Sequence, residues 1–344
     1  MDTEAINQLN GTFRGDVLEP GDAEYDDVRA LYNGMIDKRP RLIARCCDTA
    51  DVVTVVCFGR DQGLLVALRG CGHNGPGLGS CNDGLLIDLS RMKGVYVDPI
   101  FWDLADARRI MAWYRDFLPT APREMGMFLG LKRVPKVELF PEALWGRPIV
   151  ALMTCYNGTE EEGIEAMRPV REALPEPLLD GMTQMPFPMW QSAFDPILPK
   201  GLQWYWKGDF VKELPDEAID VHIEHASRIP DGLSLMHLYP INGAVHDTDS
   251  NAMAWSCRDA NWSMVIAGID PEPKNAEAIT RWARDYWEAV HPYNASGAYI
   301  NFMMEEGDER VQATYGPNYP RLARIKTRYD PDNFFRVNQN IRPG

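Results

Sequence analysis

Apolar positions recur along the chain with two spacings, one near 3.6 residues and one near 2, and these predict the elements. Residues 24–36 place Val28, Leu31 and Met35 on one face, which predicts a helix. Residues 103–118 repeat the pattern with Leu104, Ala107, Met111, Tyr114 and Leu118. Thr159 and Glu162 form a capping box that opens a helix with Ile164, Met167, Val170 and Leu174 turned inward. Residues 216–228 and 275–290 predict two further amphipathic helices, the second presenting Ile279, Trp282, Ala283, Tyr286 and Val290. Strand-like runs lie between them: Met125 to Val134, Pro148 to Tyr156, Leu202 to Lys207, Leu233 to Pro240, Ala252 to Ser256 and Trp262 to Ile269. Strands and helices do not alternate strictly, so this part reads as an antiparallel sheet with helices on one face. Pro175 to Pro199 reads as irregular, and no internal repeat or low-complexity tail is visible.

The N-terminal region has a different order: strand (Arg39 to Cys47), helix (Ala50 to Gly59), strand, glycine loop, strand (Asp83 to Met92). Leu64 to Leu68 reads as a buried strand. Glycines then stand at 70, 72, 75, 77 and 79, with Arg69 and His73 among them. Such a segment is neither helix nor good strand, but glycine permits positive φ and close backbone approach, so several N–H groups can converge on one anion. It lacks the Walker lysine and the G-x-G-x-x-G spacing. Two readings stand from the loop alone: a cradle for a phosphate-bearing cofactor, or a tight solvent loop.

In this setting Arg69-Gly70-Cys71-Gly72-His73 and the downstream Ile87-Asp88-Leu89 resemble the FAD-linked oxidases of the vanillyl-alcohol oxidase superfamily, in the berberine-bridge-enzyme-like branch. Cys71 stands where a glycine is usual. The C-terminal half is similar to the same family through Gly297-Ala298-Tyr299-Ile300-Asn301-Phe302, which resembles its Y-x-N segment, and through Asp330-Pro331-Asp332-Asn333-Phe334-Phe335 and Asn338-Gln339-Asn340-Ile341-Arg342-Pro343. The resemblance runs the length of the chain with one gap. After Asp98-Pro99 the second half of the FAD domain does not follow, and Ile100-Phe101-Trp102 resembles the start of the substrate domain.

The resemblance implies an α+β fold: a truncated PCMH-type FAD-binding subdomain over residues 1–99, a substrate domain over 100–310 with an antiparallel sheet covered by helices, and a C-terminal strap over 311–344 returning to the first. It implies FAD as cofactor, held by Arg69, Gly70, Cys71, Gly72, His73, Asn74, Gly75, Gly79, Asn338 and Gln339. In the family the histidine at the position of His73 often bonds the flavin covalently. For Arg69, a phosphate contact and a carboxylate partner are both open. Tyr299 and Asn301 are the catalytic candidates, two apart on an expected strand and so on one side. The alternative for Tyr299 is a core tyrosine. The implied activity is an oxidase: hydride passes from a small organic substrate to flavin, and dioxygen reoxidises it. The competing reading is a flavin-free remnant that binds a small molecule or a protein. Without the second half-domain the expectation is weak FAD binding or none, with apolar surface left bare at residues 85–102.

Composition narrows this only slightly. A net charge of −15 argues against a nucleic-acid or anionic-membrane partner, which needs a basic footprint. No apolar run approaches the roughly 20 residues that span a bilayer. The first ten residues lack a basic and an apolar region, so no signal peptide is expected, and a cytoplasmic protein with reduced thiols is the economical reading of seven cysteines. An oligomer is left open. His222 and His225 share a helix without an evident third ligand, so no metal site is expected. His237, Arg258 and Asp259 are candidates for lining a substrate pocket.

Overall fold

The computed structural model of the chain describes all residues except 1–2, 32–34, 71–76, 93, 139, 231–232, 296 and 338. The chain divides into two compact units, one of residues 1–96, 157–163 and 184–191, the other of 97–156, 164–183 and 192–344.

The first unit contains α1 (Thr3–Asn10), β1 (Asp16–Leu18), α2 (Tyr25–Arg29), β2 (Leu42–Arg45), α3 (Thr49–Asp61), β3 (Val66–Arg69) and β4 (Leu85–Asp88). Asp48 caps α3 by accepting from the Asp51 N–H at 2.9 Å, and buried Asp51 in turn accepts from the Arg14 and Cys47 N–H groups. The strands form a sheet in the order β1-β2-β4-β3, with β2, β4 and β3 parallel and β1 antiparallel to β2. Because β4 enters between β2 and β3, all four of its residues are buried. Leu42, Ala44, Leu85 and Ile87 pack under α1 and α3 on one face; Ile43, Ala67 and Leu86 pack with Tyr25 and Cys81 on the other.

Three expectations are corrected here. The helix over 24–36 is five residues long: backbone at Ala30 turns extended, and Met35 is exposed. The strand at Leu64 to Leu68 is buried on one side only. It is the sheet's edge, with Val66 41% and Leu68 57% exposed although they pair with Leu85 and Ile87, which are not. The apolar residues expected to be bare at 85–102 are instead covered; Leu85, Leu86, Ile100, Phe101 and Trp102 are all buried. Among the described residues of this unit, exposed apolar side chains include Val66 and Leu68 of β3, Leu65, and Val53 and Val56 of α3.

The chain continues through β5 (Gly94–Asp103), α4 (Ala107–Phe117), β6 (Met125–Arg133), β7 (Pro148–Tyr156), α5 (Glu160–Ala173), β8 (Leu179–Asp180), β9 (Thr183–Pro186), α6 (Phe187–Ser192), β10 (Gln203–Val211), α7 (Asp216–Ser227), β11 (Leu235–Pro240), β12 (Trp262–Asp270), α8 (Ala276–Val290), α9 (Asp308–Tyr315) and α10 (Tyr319–Tyr329). The sheet of the second unit runs β10-β12-β11-β6-β7-β5-β8, and its pairs β10–β12, β11–β12, β11–β6, β6–β7 and β5–β8 are antiparallel. β12 lies between β10 and β11 and all nine of its residues are buried, so its alternation is lost. α4, α7 and α8 supply the helical cover through Ile110, Met111, Tyr114, Ile219, Ile279, Tyr286 and Val290. The Thr159–Glu162 capping box forms as expected.

Residues 252–256 are irregular rather than a strand, and 300–302 form a 3-10 turn rather than a strand. Within 175–199, which reads as irregular, two short strands and α6 form. A buried polar knot ties α9 to the sheet: Asp209, fully buried on β10, accepts from Asn294 at 3.0 Å and pairs with His291 at 2.8 Å and with Arg310.

Candidate functional site

The face of the second sheet opposite the helices carries an aromatic field. On β11, His237 and Tyr239 alternate onto the same side, and the Tyr239 hydroxyl lies 2.8 Å from His237 Nδ1. Gly130 sits opposite His237 in the register of β6; a Cβ there would stand 2.9 Å from the imidazole Cδ2, so only glycine lets the ring lie across the strand. Phe128 packs against both rings at 5.0 and 5.1 Å. Lys132, next on the same face of β6, has its ammonium pushed down to about 8 by burial. Burial first, then the charge of Lys132, drives His237 down to about 3, so the imidazole is neutral. Burial raises the Tyr239 phenol to about 12. The pair is therefore a neutral phenol beside a neutral imidazole at physiological pH.

Beside this row is a cavity of about 350 Å³. Its wall includes Phe210, Tyr239, Trp255, Tyr299, Phe302 and Tyr315. Phe302 stands at the centre of the rings, edge-on to Tyr299 at 5.1 Å, tilted to Tyr239 at 5.7 Å and stacked with Trp206 at 5.9 Å. Gly208 permits this packing, since a Cβ at that position would be 3.1 Å from the Phe302 Cβ. Tyr299 is 44% exposed at the cavity wall, and Asn301 Nδ2 donates to its phenol oxygen at 2.9 Å. The two side chains expected to share one side do meet, but they do so across a 3-10 turn. The core-tyrosine alternative does not describe Tyr299.

The other sequence-singled residues are spread more widely. Arg69 is buried and pairs with buried Asp88 at 2.8 Å, so of its two open readings the structure displays the carboxylate partner. Gly70 is exposed, and a Cβ there would meet nothing within 4 Å, which leaves its backbone open to a ligand. Gly79 is held close to β3, with a Cβ at 3.3 Å from the Leu68 carbonyl oxygen. Cys71, Gly72, His73, Asn74, Gly75 and Asn338 lie outside the described residues. Gln339 donates its amide to the Met304 carbonyl at 3.1 Å. Asp259 pairs with Lys212, and Arg258 lies over the Trp255 ring at 4.9 Å, at the rim of the cavity. His222 is fully buried against Tyr286, and among the described residues no cluster of three metal-ligating side chains exists. Lys132, Tyr239 and Phe302 were not singled out from sequence. The signal for Tyr239 was present: a His-x-Tyr pair interrupting an apolar strand.

The comparisons bear on both ends of the chain. The family described as FAD binding domain matches residues 40–104, and the family described as berberine and berberine like matches residues 298–342. An FAD-linked oxidoreductase of Dictyostelium discoideum is 26% identical over 290 residues, covering 81% of this chain and 58% of that protein. The (R)-6-hydroxynicotine oxidase of Paenarthrobacter nicotinovorans is 33% identical over 87 residues, 25% of this chain and 19% of its own length. This chain thus spans less than two thirds of either relative. In fold, the solved structure of BBE-like 1 from Physcomitrella patens superposes with a TM-score of 0.58, covering 98% of both chains at 14% identity. The chain is similar to FAD-linked oxidoreductases at both ends, where it matches the FAD-binding and berberine-like families, and its fold is like that of the berberine-bridge-like enzymes.

Proposed function

We propose that this chain is an FAD-dependent oxidoreductase that oxidises a small organic substrate held in the aromatic cavity of its second unit, with dioxygen as the final electron acceptor. The observation that carries the reading is the Tyr299–Asn301 pair at the cavity wall, inside the stretch that matches the berberine-like family. The flavin, when bound, supplies the hydride acceptor. Its diphosphate is assigned to the backbone of the loop from Gly70 to Gly79, whose open approach at Gly70 fits an anion, and the resemblance assigns His73 to the flavin ring. Arg69 supports that loop through Asp88.

The chain's own residues then have separate tasks. Because Asn301 donates to the Tyr299 oxygen, the phenol hydrogen is free to bond a substrate oxygen and orient its C–H bond. Tyr239 presents a second hydroxyl to the cavity, held by its hydrogen bond to the neutral His237 imidazole, so it can orient a polar group of the substrate. Burial first, and the charge of Lys132 second, keep that imidazole neutral. The rings around Phe302 give the cavity an apolar wall against which a substrate can pack.

The test is anaerobic mixing of the flavin-loaded chain with a panel of alcohols and phenols, followed by visible absorbance. Bleaching of the flavin bands by at least one compound, slowed about a hundredfold or more in Tyr299→Phe, is the expected result. Flavin-loaded protein that no compound reduces would favour the flavin-free binding reading.

A further inference from the structure

We infer that the cavity under Tyr299 selects a neutral, flat aromatic compound with a single oxygen acceptor or hydroxyl, and rejects both sugars and ammonium ions. This rests on the reading of the cavity as the substrate site and adds its chemical class. The argument is one of size, polarity and charge. At about 30 Å³ per water-sized group, 350 Å³ holds about a dozen heavy atoms. That is two fused rings and a substituent.

Polarity decides against sugars. The wall is built from aromatic and aliphatic side chains, and its hydroxyls are largely engaged. Tyr239 is bonded to His237 and Thr314 donates to the Arg310 carbonyl, while Tyr299 accepts from Asn301 and keeps its one hydrogen for a ligand oxygen. Ser263 Oγ and Trp255 Nε1 are the two donors at the wall that are buried without a partner. A sugar would bring a ring of hydroxyls into a wall that can pair very few of them, and each buried unpaired hydroxyl is costly. A planar aromatic makes ring contacts with Phe302, Tyr299 and Trp255 instead, and its one oxygen needs only one or two partners.

Charge decides against ammonium ions. Aromatic walls attract cations in general. Here the Trp255 face is already covered by the Arg258 guanidinium at 4.9 Å, and Arg258 is held in place by the Val245 carbonyl at 3.1 Å. No carboxylate is among the residues lining the cavity. A second cation would enter a low-dielectric site beside a like charge and without a counter-ion.

The experiment is isothermal titration calorimetry on the full chain without added flavin, using three probes of related size: 2-naphthol, 2-naphthylmethylammonium and glucose. The inference predicts saturable binding of 2-naphthol with a negative heat-capacity change. It predicts at least about tenfold weaker binding of the ammonium, a difference of about 1.4 kcal/mol, and no heat from glucose. Trp255→Leu and Tyr299→Ala each weaken 2-naphthol three- to tenfold, the scale of one lost ring contact. Tyr299 is partly exposed, so its variant retains the fold, and Tyr329→Ala, on exposed surface, serves as the unchanged control. Glucose or the ammonium binding as tightly as 2-naphthol overturns the inference, as does binding that ignores both substitutions. No flavin is present, so these results stand whether or not the chain proves to be an oxidoreductase. Failure of 2-naphthol in a chain that binds FAD sinks the ligand class alone.

Discussion

Replacing His222 with leucine should flatten the acid limb of this protein's stability curve. His222 lies on α7 and is fully buried, with Nδ1 2.8 Å from the Tyr286 hydroxyl and Nε2 without a partner. Burial, with a smaller contribution from neighbouring His225, lowers its titration from 6.5 to about 3. The native imidazole is therefore neutral while the unfolded one takes a proton below about 6.5. Between those two values the unfolded state binds more protons, so stability falls as pH falls. At pH 4.5 the unfolded group is two units below its titration and the folded group still unprotonated; at 1.36 kcal/mol per unit the loss is about 3 kcal/mol. Leucine cannot titrate. At pH 7 its cost is small, because Tyr286 retains the His222 backbone carbonyl as an acceptor at 3.3 Å. The assay is urea unfolding followed by circular dichroism at pH 7.5 and 4.5 for both proteins. His237, which has the same direction of shift, is present in both and cancels. The expected outcome is a difference of about 3 kcal/mol between the two acid losses. Equal losses would refute the claim that His222 is neutral in the folded state.

Further consequences concern the polar knot, the edge strand and the site. Arg310→Met leaves Asp209 buried with only His291 and Asn294, and should cost about 3–5 kcal/mol in denaturant melts. Leu68→Thr, on the exposed side of β3, should change stability by no more than about 0.5 kcal/mol while reducing binding of a hydrophobic dye. Gly130→Ala forces a methyl against His237 and should shift the Tyr239 hydroxyl away from Nδ1; the NMR signature is a changed His237 ring resonance with a folded spectrum otherwise retained.

Much of this architecture is legible from local pattern. The helices of the second unit follow from the 3.6-residue spacing, since Ile279, Trp282, Ala283, Tyr286 and Val290 are all buried as their spacing requires. The strand at Pro148–Tyr156 coincides with its predicted run. What failed depended on topology. Leu64 to Leu68 has the composition of an inner strand, but its burial is decided by β4 inserting beside β2 and leaving β3 at the edge. The short helix at Tyr25 ends where Ala30 turns extended, which apolar spacing does not foresee. Tyr299 and Asn301 were found through a motif, although the expected strand is a 3-10 turn. Lys132 and Phe302 carry no local signal. They matter because strand register and a chain reversal bring them beside His237 and Tyr239, and register is a long-range property.

The central claim, that this chain is a flavin enzyme, is tested most directly by titrating the purified protein with FAD and following the visible flavin spectrum together with retention through gel filtration. The account predicts saturable binding that approaches one flavin per chain and is weakened by Gly70→Val, which closes the open backbone at the start of the loop. A protein that stays folded yet retains no flavin at any FAD concentration would contradict it and leave the aromatic cavity as that of a binding module.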